Sequence, residues 1–526
     1  MSDGQYTIRD RAAAVGAGLS LLMCVWCLGA EDATTHPGPP PLQLTPAANQ
    51  TTAGQPAALT LGLHTAVLMA LDNNASFQIE RLQPAISRTD EDVERAAFDP
   101  ALSGSAEIKR EETESDTAGV TETETSDAVE GRLGLTETLP SGTTLALGAA
   151  MQTASSTDGA DSDSDSTSWE ATLSQSLLRG AGTGANLARL RQARLDIQMS
   201  LYEFRAAAET LVAQVEQAYW NLILAERSMD IYVRSMQIAL DEINEVRERI
   251  RVGKMAETEL AAAEAEAASR REQLIDARGT RAKRHLDLVH LVNPGGESVW
   301  TRPLQLKDAP ETDVQALDEV AAYVQSAMHQ RADLNQARLN IERGELEITR
   351  TRNGLLPRLD LFVALGGSRY AASFSDTDDT DQDGLSYAAG LTLDVPLGNR
   401  QARARHRRAM LSQEQAKAAL LNMEQLVQVD VRTAYVDVQR SAERVNATKA
   451  TRVLREETLE SELEKFRVGR STTFLVAQAR RDMVASQIAE VEAIIGYRKA
   501  LLALHRLDGS LLTRRNIVLE EAAAGR

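Results

Sequence analysis

Between Leu187 and Ile250, apolar or small residues fall alternately three and four positions apart. They include Leu187, Leu190, Ile197, Leu201, Phe204, Ala208, Leu211, Val215, Ala218 and Leu222, and continue through Ala239, Ile243 and Val246, with one interruption at Arg194. About nine heptads of this spacing predict a single helix carrying a coiled-coil seam. At about 1.5 Å per residue it is roughly 100 Å long, several times the thickness of a bilayer core. Gly253 breaks the pattern, and a second helical run follows from Ala256 to Val292, ending at Asn293-Pro294-Gly295-Gly296. The two runs predict a long antiparallel hairpin with its tip at Arg251–Met255.

Elsewhere the period changes to two. Leu133–Leu139, Thr144–Ala149 and Ser168–Gln175 alternate apolar with small or polar residues, as do 359–366 and 386–395. These read as strands. Pro140-Ser141-Gly142 marks a turn, and acidic Ser/Asp stretches at 155–167 and 371–384 mark loops. Weak alternation over about ten residues suits strands of a membrane barrel; edge strands of a small soluble sheet fit these segments as well.

The plan occurs twice. Gln217-Ala218-Tyr219-Trp220 leading to Arg251-Val252-Gly253-Lys254 recurs as Thr433-Ala434-Tyr435-Val436 leading to Arg467-Val468-Gly469-Arg470, at one offset of 216 residues. Upstream, Ala70, Arg81-Leu82 and Pro100 match Ala327, Arg338-Leu339 and Pro357 at an offset of 257, so the first half carries 41 extra residues before its long helix. A unit this long is not a solenoid repeat. It predicts two similar halves about a pseudo-symmetry axis, with helices at 59–98, 313–353, 400–467 and 473–507 and a second tip at Gly469. The second seam is less regular, because Arg452, Arg455 and Glu462 occupy seam-equivalent positions.

Composition narrows the class. A net charge of -19 argues against nucleic acid as a partner, and only 4% aromatic residues argues against large sheet-packed cores. Residues 1–30 resemble a signal peptide: Arg9 and Arg11 precede an apolar run ending near Gly29-Ala30, with an uncleaved N-terminal helix as the alternative. Both cysteines, Cys24 and Cys27, lie in that run. The expected organisation is signal peptide 1–30, flexible leader 31–57, first repeat 58–310, second repeat 311–509 and C-terminal tail 510–526.

Candidate chemistry is sparse. Asp379, Asp381 and Asp383 with Gly384 match the first half of a calcium loop, but position twelve is Gly390, so a solvated acidic loop competes. His285 and His290 fall on different helix faces, which disfavours a metal pair. Gly180-Ala-Gly-Thr-Gly184 lacks the lysine of a phosphate loop and reads as a sharp strand-to-helix transition. Trp169 and Tyr387 each begin a strand and suit a membrane-interface belt, or are ordinary strand aromatics. No catalytic set is found, and no cofactor is expected. Arg251, Lys254, Arg467 and Arg470 make both tips basic.

Phe466-Arg-Val-Gly-Arg-Ser-Thr-Thr-Phe-Leu-Val-Ala-Gln478, with Gly354-Leu-Leu-Pro357, Val395-Pro-Leu-Gly398 and the two Ala-Tyr pairs, resembles the TolC-type outer-membrane efflux proteins over roughly Leu59 to Leu507. The resemblance implies a mainly helical protein with membrane β. Duplicated helix hairpins would extend into the periplasm, and strands would join those of two other copies in one outer-membrane barrel. It implies a passive exit duct of a tripartite efflux or type I secretion system. The implied partners are two further copies, outer-membrane lipid, a periplasmic adaptor and an inner-membrane transporter. Residues Arg251, Val252, Gly253, Lys254, Arg467, Val468, Gly469 and Arg470 would meet the adaptor. The member of that family with the best-known gate carries Asp six and nine positions after the tip glycine; here those positions are Leu475 and Gln478, so an apolar closure by Leu475 is expected, with Glu259 supplying charge nearby. The hairpin Leu133–Ala150 raises the strand count above the two per half that the resemblance implies. The rival reading is a non-conducting structural coiled coil of the envelope.

Overall fold

The computed structural model describes residues 59–117, 120–158, 160–293, 300, 304–309, 316–371 and 382–519. The signal and leader segments, Asp379, Asp381 and the Asp383 side chain lie outside the described residues. The described chain forms two compact units, one from Asp92–Arg191 and Leu346–Met410, the other from residues up to Glu91, Gln192–Glu345 and residues from Leu411 onward.

The first unit is built on a six-stranded sheet of order β2-β3-β4-β5-β7-β8, antiparallel throughout. Its strands are β2 (Ala101–Thr117), β3 (Val120–Thr138), β4 (Thr143–Asp158), β5 (Ala160–Ser176), β7 (Arg358–Ala371) and β8 (Gln382–Asp394). The first half of the chain therefore gives four strands and the second gives two. The expected hairpin Leu133–Ala150 is the β3–β4 connection, closed by Leu139 N–H donating to Thr143 O at 2.7 Å, with Gly142 at φ +87°.

The acidic stretch 155–167 is not a loop, as the sequence suggests, but the continuation of β4 and β5, with Thr153 opposite Asp165 and Ser155 opposite Asp163. The ladder explains the difference. Backbone pairing saturates the N–H and C=O groups whatever the side chains, so a Ser, Thr and Asp stretch without apolar alternation can still continue a ladder. The chain leaves β5 through Gly180 (φ +88°) and Gly182 (φ +81°), the expected strand-to-helix transition. Asn186 Nδ2 donates to Gly180 O at 2.8 Å, and Gly180 N–H donates to the Asn353 side chain at 2.8 Å. The short helix α3 (Thr183–Asn186) follows.

The second unit is helical. Its main elements are α4 (Ala188–Arg251), α5 (Thr258–Val292), α8 (Arg400–Arg467) and α9 (Thr473–Leu507), close to the bounds the heptads predict. The expected helix 59–98 is instead divided into β1 (Leu59–Leu61), α1 (Leu63–Asn73) and α2 (Ala75–Arg95). Asn74 separates the helices; its Oδ1 accepts from Phe77 N–H at 3.1 Å and its Nδ2 donates to Leu291 O at 3.0 Å. β1 pairs in parallel with β6 (Leu304–Leu306). Likewise 313–353 divides into α6 (Val320–Gln330) and α7 (Ala332–Asn353) at Arg331.

The duplication extends to packing. Val215 and Val431, Ala218 and Ala434, and Leu222 and Val438 are equivalent pairs, and every member is buried. Tyr219 breaks the symmetry. Fully buried, it hydrogen-bonds Asp308 Oδ2 at 2.8 Å and Leu61 O at 3.1 Å, whereas Tyr435 is half-buried against Tyr323. Burial along the middle of α4 is also wider than a two-position seam, taking in Val212, Tyr219 and Ile223, because β1, α1, α5 and α9 residues share that core. Near the tip a narrow seam returns, where Ala239 and Ile243 pack on Ala267.

Described residues just after the second repeat pack on the helical core. Leu511 and Leu512 in α10 (Leu511–Arg514) are buried in the core with Tyr219, and Arg515 pairs bidentately with the buried Glu216.

Candidate functional site

The sheet sorts its side chains by face. Residues directly opposite across an antiparallel pair share a face, so register defines rows across all six strands. Leu102, Leu135, Leu147, Ala171, Leu365 and Tyr387 form one such row. On the same face, one pleat repeat away, lie Leu133, Ala149, Trp169, Gly367 and Leu385; on the other side lie Leu145, Leu173, Val363 and Ala389. The opposite face carries Ser103, Gly134, Gly148, Glu170, Gly366 and Ser386 in one row and Ser105, Arg132, Ala150, Ser168 and Ser368 in the next. Leu102, Leu385, Leu391 and Tyr387 are more than 60% exposed, a display of apolar surface that no described residue covers. The three rows span five residues, and on β8 Leu391 and Leu393 carry the same face on to Leu385–Leu393, roughly 26 Å along the strand, which matches the height of an outer-membrane barrel's lipid-facing band. Trp169 and Tyr387 both lie on that face, in neighbouring rows.

Beyond the band the strands become ionic. Arg110 pairs bidentately with Asp127 at 2.6 Å, and Lys109 reaches Glu111 at 2.7 Å. Among the described residues no group of three or more His, Cys, Asp or Glu side chains could hold a metal ion. No described helix is long and apolar enough to cross a membrane.

The hairpin ends are built alike. Gly253 (φ +70°) and Gly469 (φ +75°) each close a Schellman turn: Lys254 N–H donates to Arg249 O at 2.8 Å, and Arg470 N–H donates to Lys465 O at 2.7 Å. Arg251, Val252, Gly253 and Lys254 are exposed, as are Arg467, Val468, Gly469 and Arg470. Arg251 and Arg467 are tethered to Glu248 and Glu464 one turn back, at 2.8 and 2.6 Å. Two contacts join one hairpin to the other: the Arg249 guanidinium lies 5.1 Å from the Phe466 ring centroid, and the Thr473 hydroxyl donates to Glu259. Thr472 caps α9 by accepting from Leu475 N–H. Leu475 and Gln478, one helical turn apart, are both exposed, and Glu259 lies beside the same helix end.

Sequence reasoning missed the ionic ties farther along the hairpins. Arg480 pairs with Glu242, and Glu266 accepts from Arg481 at 3.2 Å while pairing with Arg270 at 2.6 Å. Burial pushes the Glu242 carboxyl up, against the pull of Arg480. Arg452 and Arg455, which the sequence shows only as irregular seam residues, hold Glu490 at 2.6 Å and Asp482 at 2.8 Å across the second hairpin.

The sequence profile of the family described as "Outer membrane efflux protein" matches residues 67–293 and 323–510, nearly all of both halves. The chain belongs to the outer membrane efflux protein family. It is 23% identical over 325 residues, 62% of this chain and 69% of the relative, to the proteases secretion protein PrtF of Dickeya chrysanthemi. Among solved structures, the outer membrane channel CmeC of Campylobacter jejuni superimposes with a TM-score of 0.64 at 16% identity, covering 85% of this chain and 86% of that one. The open-state outer membrane channel MtrE of Neisseria gonorrhoeae gives 0.60 at 19% identity, covering 88% and 94%.

Membership agrees with the geometry. As a member of this family it is an outer-membrane efflux protein. Relatives in fold and family are channels rather than enzymes.

Proposed function

We propose that three copies of this chain form one outer-membrane duct whose hairpin tips dock a periplasmic adaptor serving an inner-membrane pump. The observation that carries this reading is the six-strand row Leu102–Leu135–Leu147–Ala171–Leu365–Tyr387 backed by a polar face. One chain supplies too little sheet to enclose a water-filled lumen, and an open sheet edge is not viable in lipid. A non-conducting envelope scaffold needs the heptads but not this two-sided sheet.

Arg251, Val252, Gly253, Lys254, Arg467, Val468, Gly469 and Arg470 form the docking ends, exposed and held in fixed turns. Their basic side chains suit an acidic or carbonyl-rich partner surface. Leu475 and Gln478 close the duct near Glu259; with Leu475 at the sixth position after the tip glycine, closure is by apolar contact rather than by an acidic ring. Trp169 and Tyr387 sit at the lipid boundary. No cofactor enters, because the duct conducts down a gradient supplied by its partner. The similarity to PrtF, a proteases secretion protein, favours a polypeptide cargo.

The test is charge reversal at the tips. Lys254→Glu combined with Arg470→Glu is expected to lower adaptor co-purification and dye efflux at least tenfold while the detergent-purified protein keeps its trimer mass. Unchanged efflux would remove the tips from the docking surface.

A further inference from the structure

We infer that β2 and β3 belong to the barrel wall, so that the β8 edge of one copy pairs with the β2 edge of the next and three copies close a barrel of eighteen strands. This rests on the reading of three copies per duct; the strand count and the identity of the joining edges go beyond it.

Four observations converge. First, the ladder is continuous: β3 pairs with β4 from Thr125 to Thr138, and β2 pairs with β3 from Ala101 to Thr117. Second, the apolar row crosses onto the added strands without a break, since Leu102, Leu135 and Leu147 stand directly opposite one another. Third, the reverse face of the same strands carries Ser103, Ser105, Glu107, Glu130 and Arg132. In the wall these side chains face a wet lumen. On a flap lying outside the wall they would face lipid or another strand, and charged groups there are costly. Fourth, the hydrogen-bonded order ends at β2 and β8, and the strands alternate in direction across the sheet. With six strands the two edges run in opposite directions, so β8 meets the next copy's β2 antiparallel, like every other neighbour in the sheet. Lipid admits no open edge, which leaves a second copy of this chain as the occupant of each.

Side-chain parity restricts the join. Lipid-facing positions are even-numbered on β2 (Leu102, Gly104) and odd-numbered on β8 (Leu385, Tyr387), and a slip of one residue would turn a whole strand inside out. Odd residues of β2 therefore oppose even residues of β8 across the copy boundary. Barrel diameter grows with strand number: with strands about 4.8 Å apart and tilted about 40°, eighteen give a backbone diameter of roughly 36 Å, against roughly 24 Å for the twelve that β4, β5, β7 and β8 alone would supply.

The test is disulfide trapping in the full-length protein, in a background lacking Cys24 and Cys27. Ser386→Cys is combined in turn with Ser103→Cys or Ser105→Cys on β2, and with Ala146→Cys or Ala150→Cys on β4, all lumen-facing. Oxidised membranes are run on non-reducing gels beside a native mass measurement. Covalent dimers and trimers from the β2 pairs, and none from the β4 pairs, are expected. Crosslinking of Ser386→Cys to β4 positions in a protein of trimer mass would overturn the inference, placing β2 and β3 outside the wall while the three-copy reading stands. A trimer in which no pair crosslinks would also overturn it. A monomer or dimer by mass would instead remove the three-copy reading itself.

Discussion

The Trp169 indole on β5 covers Gly367, its register partner on β7: a Cβ at position 367 would stand 2.5 Å from the indole Nε1. A bare backbone on one strand thus makes room for the largest side chain on the next, in the row that also carries Leu133 and Leu385. The pair holds neighbouring strands from the two halves of the chain together within the lipid-facing band.

Gly367→Leu is expected to force the indole off this position and to destabilise the assembled barrel by about 1–3 kcal/mol, the range of overpacking substitutions. The temperature at which the trimer dissociates on a semi-native gel checks this. Gly398→Ala, whose Cβ would meet nothing within 4 Å, serves as the control and leaves that temperature unchanged.

At the tips the constraint is conformational. A Cβ at Gly253 or Gly469 meets nothing within 4 Å, yet both glycines are left-handed, where a β-branched residue is strained. Gly469→Val is expected to cost about 1–2 kcal/mol locally, open the turn and reduce export, while trimer mass stays the same. Gly469→Asn, which tolerates this conformation, retains most of the export. Efflux and mass are measured on the same preparations, and loss of the folded trimer with Gly469→Val would contradict a tip position.

Closure at Leu475 makes its own demand. Leu475→Ser replaces apolar contact with hydroxyls that hold water, so steady leakage of small ions through the purified duct is expected to rise several-fold. A conductance indistinguishable from the parent protein would place the constriction elsewhere.

His505 links pH to the helical core. Burial, with Arg514 and Arg515 nearby, lowers its pKa from 6.5 to about 4, so the folded protein holds it neutral. Between these values the unfolded chain binds the proton and the folded chain does not. Stability from this group is therefore complete above pH 6.5 and is lost as pH falls toward 4. His505→Gln is expected to flatten the denaturant midpoint across that window, measured at intervals from pH 4 to 7.5.

Much of this was legible beforehand, for reasons tied to particular residues. The α4 and α8 spans were readable because heptads and glycine stops are local signals, and Gly253 and Gly469 mark their ends in the same Arg-Val-Gly triplet. The strand pairs were legible only in part. Residues 155–167 looked like a loop because Ser and Asp carry no apolar alternation, yet the backbone ladder continues through them. The breaks at Asn74 and Arg331 escaped notice because the apolar period continues across each of them. Among candidate site residues, the turns at Gly253 and Gly469 follow from the sequence. The Glu242–Arg480 pair does not, since partners 238 residues apart leave no local trace.

Three copies that enclose a conducting pore have an electrical signature, and single-channel recording of the detergent-purified protein in planar bilayers, with native mass determined on the same sample, reads it. A trimer that inserts and gives discrete conductance steps is expected. A protein that fails to insert, or that inserts as a dimer without conductance, would contradict it and favour the envelope coiled coil.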